Sequence, residues 1–192
     1  MLSIGLTGGI GSGKTFVANI IKTNKNFIIF DSDLTAKKIL NNDLLVKESI
    51  KSNFGKKSYL KNKLNSKFIS DIVFADQTLL EKLNDIVHPK VIKEFKDFKS
   101  NNKEKITVIE SALLFETGFY QLNDINILIT SPVDLRLNRI IKRDNIKKEH
   151  ALKIINSQWK DSKKIKLADF VIDNIDKLET EKKVKNLIAD II

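Results

Sequence analysis

The chain has no cysteine, which excludes disulfides, thiolate-ligated zinc and cysteine nucleophiles. It has two prolines, one tryptophan and one methionine among 192 residues. No apolar run approaches the ~18 residues of a membrane span. A glycine-rich segment follows Met1 too closely to leave room for a charged-then-apolar leader. These absences lead us to expect a cytoplasmic protein with no membrane partner. Two further scarcities are informative by position. Only seven glycines occur, and five of them fall within the first thirteen residues. Of thirty-four basic residues only three are arginine, and Arg136, Arg139 and Arg143 lie within eight residues of one another.

The glycine cluster reads Gly5-Leu6-Thr7-Gly8-Gly9-Ile10-Gly11-Ser12-Gly13-Lys14-Thr15. Gly8 to Thr15 fits G-x-x-x-x-G-K-[ST], a phosphate-binding loop. Glycine allows backbone N–H groups to curl around an anion without Cβ clashes. Lys14 supplies a charge for β- and γ-phosphates, and the Thr15 hydroxyl is suited to a magnesium ion. An apolar run over 2–6 reads as a buried strand before the loop. A helical pattern (Phe16, Val17, Ile20, Ile21) follows it. Strand, loop and helix N-terminus are the context that phosphate binding demands.

Hydrophobic content of 42% and charged content of 30% are those of a globular domain. Apolar, β-rich runs recur at 27–30, 106–109, 125–129 and 170–172, separated by helical patterns. This alternation predicts an α/β fold with a parallel five-stranded sheet flanked by helices. About 75 residues separate the second strand from the third, far more than the dozen or so a crossover needs. That stretch reads as helices over 34–40, 44–54, 68–74, 79–87 and 91–98, an inserted helical lobe suited to substrate specificity. A second helical segment runs over 133–166, and a last helix over 178–191 is suited to packing alone. The expected organisation is a nucleotide-binding core over 1–33 and 104–192, a lobe over 34–103 and a helical lid over about 134–166.

Three features carry chemistry beyond the loop. The second strand ends in Asp31-Ser32-Asp33, and ligands of open α/β sheets bind beyond the carboxyl ends of strands. One carboxylate there could accept the proton of an attacking hydroxyl, and the other could help hold magnesium through water. Asp31 or Ser32 could instead simply cap the next helix. Glu110 ends the third strand, where a metal-supporting acid is expected downstream of a phosphate loop. A surface glutamate is the alternative. The three arginines, at i, i+3 and i+7, share one helical face. Their planar forks suit phosphate oxygens, which suggests a lid over the transferring group. By residue chemistry alone, His88 before Pro89 ends a helix, and Trp159 packs.

Together these residues resemble the dephospho-coenzyme A kinases, and the likeness spans nearly the whole chain. After the opening loop come Asp31-Ser32-Asp33, Phe54-Gly55, Leu64-Asn65, Val73-Phe74 and His88-Pro89. Leu113-Leu114-Phe115-Glu116, Arg139, Arg143-Asp144, Gln158, Ala168-Asp169 and Asp173-Asn174 follow. The resemblance implies ATP-dependent phosphorylation of the ribose 3′-hydroxyl of dephospho-coenzyme A, with Mg²⁺. It implies Asp33 as general base, and Lys14 and Arg139 on the phosphates. The nucleotide would meet Gly9, Ile10, Gly11, Ser12, Gly13, Lys14, Thr15, Arg139, Arg143 and Asn174, the last near the adenine. Asp33, Lys67 and His88 would face the acceptor. Magnesium would lie at Thr15, with Asp31 and Glu110 acting through water. The chain departs from the pattern at Ala112, where proline is common, at Ser66, where arginine is common, and at Arg136, where glutamine is usual.

Other classes share the loop. A regulatory GTPase needs D-x-x-G, but Ser52 and Phe115 stand three residues before the two remaining glycines. Asn24-Lys25-Asn26-Phe27 does not fit N-K-x-D. A nucleoside or nucleotide kinase is the nearest rival, and a nucleic-acid-stimulated ATPase is a third reading. The net charge of +10 suits polyanionic small substrates, and no RNA-reading motif accompanies it. We therefore expect no nucleic-acid partner, and a monomer or weak homo-oligomer.

Overall fold

Strand β1 (Ser3–Thr7) is buried along its whole length, as a strand must be when neighbours and helices cover it on every side. It opens directly into the glycine loop and then α1 (Lys14–Lys22). The computed structural model describes residues 2–73 and 75–191; Phe74, one of the family landmarks, lies outside the described residues. The chain continues through β2 (Phe27–Asp31), α2 (Ser32–Asn42), α3 (Leu44–Phe54), β3 (Tyr59–Leu60), β4 (Lys63–Leu64), α4 (Ser66–Val73) and α5 (Gln77–Asn101). It then forms β5 (Ile106–Glu110), β6 (Ile125–Thr130), α6 (Val133–Asp144), α7 (Lys148–Asn156), α8 (Asp161–Lys164), β7 (Phe170–Asp173) and α9 (Lys177–Ile191). Short 3-10 turns occupy Lys56–Ser58, Phe119–Leu122 and Ile165–Leu167. Among the described residues no helix is long and apolar enough to cross a membrane.

The chain divides into two compact units, Met1–Asp31 with Asn101–Ile192, and Ser32–Ser100. The first holds a five-stranded sheet of order β2-β5-β1-β6-β7, with every neighbouring pair parallel. The expected α/β fold is therefore present. β1, which feeds the phosphate loop, lies at the centre of the sheet. The buried set Ile4, Leu6, Val108, Ile127, Ile129 and Ile172 packs against Val17, Ile20 and Ile21 of α1 and against Val184 and Ile188 of α9. Leu137 and Ile140 of α6 meet Ala151 and Ile155 of α7 in a smaller cluster, with Ile10 of the loop against it. Parallel strands end at the same edge, so register places Asp31 beside Glu110, and Glu110 beside Leu6.

The second unit has its own core of Val46, Ile50, Phe54, Tyr59, Ile69 and Val73. Asp43 caps α3, its side chain accepting from the Val46 N–H, and its other oxygen pairs with Lys90 at 2.9 Å. Two details differ from the sequence reading. A two-residue hairpin, β3 with β4, turns at Lys61 and Asn62, both at positive φ. Strands this short leave no alternating pattern to read. The break expected between 87 and 91 is also absent, since α5 runs unbroken through Pro89. An interior proline costs about 3 kcal/mol. Val87, Val91 and Phe95, at i, i+4 and i+8, are all buried on one helix face, and each such side chain returns about 1.5–3 kcal/mol. Continuity therefore wins. The helical segment expected over 133–166 is made of α6, α7 and α8. Asn145, left-handed at φ 50°, closes the first of them.

Candidate active site

The phosphate loop joins the central strand to α1, and its shape depends on backbone that only glycine adopts easily. Gly13 (φ 96°) precedes the first turn of α1, and Gly11 has φ 78°. A Cβ on Gly13 would overlap the Asn174 amide nitrogen. The first N–H groups of α1 lack intrahelical acceptors and carry the helix dipole's positive end, which makes an anion site. The Lys14 ammonium reaches back over the loop to donate to the Gly8 carbonyl at 2.9 Å. Thr15 Oγ1 donates to Glu110 Oε1 at 3.0 Å. The strand-end glutamate thus touches the hydroxyl singled out for magnesium, with Asp31 beside it in register.

Arg139 of α6 spreads its guanidinium over the other side of the loop. One terminal nitrogen donates to Gly11 O (3.3 Å), Ser12 O (3.4 Å) and Ser131 Oγ (3.2 Å), and the other to Asn174 O at 3.1 Å. Gly11, Gly13, Lys14, Thr15, Arg139, Ile140 and Arg143 line a cavity of about 200 Å³. Arg143 is exposed and holds Asp144 through two bonds of 2.7 and 2.8 Å. That ion pair keeps its guanidinium above its ordinary pKa, the hydrogen bond to Asp144 being the larger cause.

Asn174, placed near the adenine by the resemblance, is a buried brace here. Its Nδ2 donates to Ser12 O at 2.7 Å, and its Oδ1 accepts from Thr180 Oγ1 at 3.2 Å. Ser12 Oγ is buried and has no hydrogen-bond partner. An unsatisfied hydroxyl inside a glycine cradle fits a phosphate-bearing ligand. The donor set also suits magnesium. Among the described residues no group of three His, Cys, Asp or Glu could cage a metal, and Mg²⁺ in kinases is held by one or two side chains together with substrate phosphates.

The family model for dephospho-CoA kinase matches residues 2–180. The chain belongs to the dephospho-CoA kinase family. It is 42% identical over 180 residues to a dephospho-CoA kinase of Fusobacterium nucleatum, covering 93% of this chain and 92% of that one. The solved dephospho-CoA kinase of Campylobacter jejuni aligns with a TM-score of 0.70 and 31% identity, over 98% of this chain and 96% of that one. A Thermus thermophilus structure, TT1252, aligns with a TM-score of 0.86 and 27% identity, over 100% and 98% of the two chains. The chain is thus a kinase of the phosphate-loop fold, and its family implies ATP as the phosphoryl donor.

Of the site residues read from sequence, the structure brings together Lys14, Thr15, Glu110, Arg139, Arg143 and Asn174 about the loop. Asp33, Lys67 and His88 belong to the second unit. Asp33 lies in the first turn of α2, two residues past the end of β2, Lys67 is exposed at the start of α4, and His88 is half-buried on α5. Burial pushes the His88 imidazole below its ordinary pKa, while Asp85 pulls it partly back. That unit also carries a basic hollow of about 410 Å³ lined by Lys51, Lys56, Tyr59, Lys61 and Asn62. Sequence reading missed this hollow, because its lysines come from separate elements.

Arg136, the arginine that departs from the kinase family's pattern, is a second omission. It is 5% exposed, donates from Nε to Ile10 O at 2.9 Å and pairs with Asp161 at 3.5 Å. Only the clustering of the chain's three arginines pointed towards it.

Proposed function

We propose that this chain transfers the γ-phosphoryl group of ATP to the ribose 3′-hydroxyl of dephospho-coenzyme A, giving coenzyme A and ADP, the final step of coenzyme A synthesis. The observation that carries this reading is the phosphate loop with Lys14, Arg139 and Arg143 around one cavity, in a chain that matches the family model over 2–180. Asp33 is the general base. It takes the proton of the 3′-hydroxyl as that oxygen bonds to the γ-phosphorus, and the bond to the β–γ bridging oxygen breaks. Gly9, Ile10, Gly11, Ser12 and Gly13 cradle the phosphate chain, and Lys14 neutralises charge on its β and γ groups.

Arg139 supports the same charge from the opposite side. Its bonds to Gly11 O and Ser12 O are long, so phosphate oxygens compete for these N–H groups at little cost. Arg143 adds charge at the rim, and Asn174 serves the nucleotide by holding the loop. Thr15 would hold Mg²⁺, with Glu110 and Asp31 supporting it through water, and the ion would supply positive charge to the phosphate chain. Lys67 and His88 contact the acceptor within the unit 32–100, which serves as the acceptor lobe, and the segment 134–166 serves as the lid. A net charge of +10 favours two polyanionic substrates without invoking nucleic acid. The reaction is cytoplasmic, and the chain acts as a monomer or weak homo-oligomer.

An ATP-consumption assay across dephospho-coenzyme A, nucleosides, nucleoside monophosphates and RNA tests the reading. Turnover should need dephospho-coenzyme A. Preference for a nucleoside or its monophosphate, or stimulation by RNA that fades steeply with salt, overturns it.

A further inference from the structure

Ile10 stands at the middle of the glycine loop, and two side chains from distant parts of the chain grip its two backbone groups. Gln158 Oε1 accepts from the Ile10 N–H at 2.7 Å, and Arg136 Nε donates to the Ile10 carbonyl at 2.9 Å. Both grips are themselves anchored. Arg136 is buried and pairs with Asp161, which starts α8. A Cβ on Gly9 would overlap the Arg136 guanidinium, so the arginine lies directly against the loop.

Beside Gln158, the Trp159 N–H donates to Glu116 Oε1 at 3.1 Å. The same oxygen pairs at 2.7 Å with the ammonium of Lys164, a fully buried lysine. Glu116 therefore holds 159 and 164, while Asp161 between them holds Arg136. A buried ion pair is a poor source of net stability but fixes geometry, since breaking it strands a charge. Removing the Ile10 bonds would leave a peptide group of a phosphate-binding turn free to rotate.

From this we infer that Arg136 and Gln158 are positioning residues for nucleotide. They hold the Ile10 peptide groups, so that the phosphate loop has its binding shape before a nucleotide arrives, and Asp161 and the Glu116–Lys164 pair hold them in turn. The inference rests on the loop being a nucleotide site. It does not depend on the identity of the acceptor, so its test omits the acceptor. A preformed loop binds more tightly because the ordering is not charged against binding.

The experiment is calorimetric ATP titration of the full chain without acceptor, with thermal melts as a check on folding. Arg136→Met keeps an apolar stem out to the ε position and removes donor and charge. It should weaken ATP binding at least tenfold, while kcat at saturating ATP and dephospho-coenzyme A stays within about threefold. Arg136→Gln should restore most of the affinity, since an amide still donates to the Ile10 carbonyl. Gln158→Met, which removes only the acceptor for the Ile10 N–H, should weaken ATP binding in the same direction. It provides an independent reading should Arg136→Met fail to fold.

ATP affinity within twofold of wild type in a folded Arg136→Met or Gln158→Met overturns the inference. So does a loss confined to kcat, or a glutamine variant no better than methionine. Unfolding of both methionine variants overturns it as well, because the grip would then be a folding element. The expected losses of ATP affinity in the variants, in a chain that transfers nothing to dephospho-coenzyme A, would instead count against the proposed reaction and leave this inference standing.

Discussion

Gly13→Ala is the substitution for which the structure gives the fullest account of a cost. Two terms contribute. At φ 96° and ψ 26° the backbone is left-handed, and an L side chain there costs roughly 1–2 kcal/mol. The new methyl also overlaps Asn174 Nδ2. Asn174 is 2% exposed and bonded to both Ser12 O and Thr180 Oγ1, so it cannot step aside into solvent. Displacing it leaves buried polar groups unpaired, at about 1–3 kcal/mol. The two terms together predict a loss of roughly 2–5 kcal/mol, a large fraction of a typical domain's stability. Equilibrium urea unfolding followed by far-ultraviolet circular dichroism measures it.

A double-mutant cycle separates the terms. In an Asn174→Ala background the overlap is gone and only the backbone term remains. Gly13→Ala should then cost about 1–2 kcal/mol, so the two substitutions should be coupled by at least 1 kcal/mol. If the costs simply add, Asn174 is not what excludes a side chain at Gly13, and the account of this end of the loop is wrong.

Other expectations concern the chemistry. Asp33→Asn should leave the Kd for ATP within about twofold while lowering kcat by about 10²–10⁴, the usual range for a lost general base; full turnover in this variant removes Asp33 from that role. Arg139→Lys puts a point charge in place of a fork and should lower kcat much more than ATP affinity, so equal kcat values would remove the arginine from the transition state. His88 should titrate below about 6.5 in a proton NMR series, with His150→Gln used to assign the two imidazole signals. Because its folded value is depressed, the unfolded chain binds the extra proton first. His88 therefore contributes no penalty above about pH 6.5, and stability falls as pH drops from there towards the folded value. A signal midpoint at or above 6.5 contradicts its burial.

Much of the fold was legible because its evidence is local. A buried parallel strand is a short apolar run, and all five strands of the sheet leave one. The loop motif needs only eight consecutive residues. Pro89 shows where local evidence misleads. Proline chemistry predicts a break, and only the common burial of Val87, Val91 and Phe95 explains why the helix continues. The hairpin at Lys61 and Asn62 was illegible for the opposite reason, since two-residue strands carry no period and neither turn residue is glycine.

The site divides along the same line. Lys14 and Thr15 belong to a contiguous motif, and Glu110 to the end of an apolar run, so chemistry and spacing sufficed to find them. The residues that shape the loop are not contiguous with it. Arg136 and Gln158 meet Ile10 across 126 and 148 residues of sequence, and Asn174 meets Ser12 across 162. None of these pairs has a spacing rule, because each depends on how β6, β7 and the helices between them return to the central strand. Charge alone was a poor guide to Arg136. Three arginines on one face suggested three similar roles, yet burial separates them. Arg136 is buried against the loop with Asp161, Arg139 is half-buried over the loop, and Arg143 is exposed beside Asp144 at the edge of the same cavity. A shared helical face therefore fixes direction only, and it is position along α6 relative to the loop that decides whether an arginine is buried against the loop, half-buried over it or exposed at its rim.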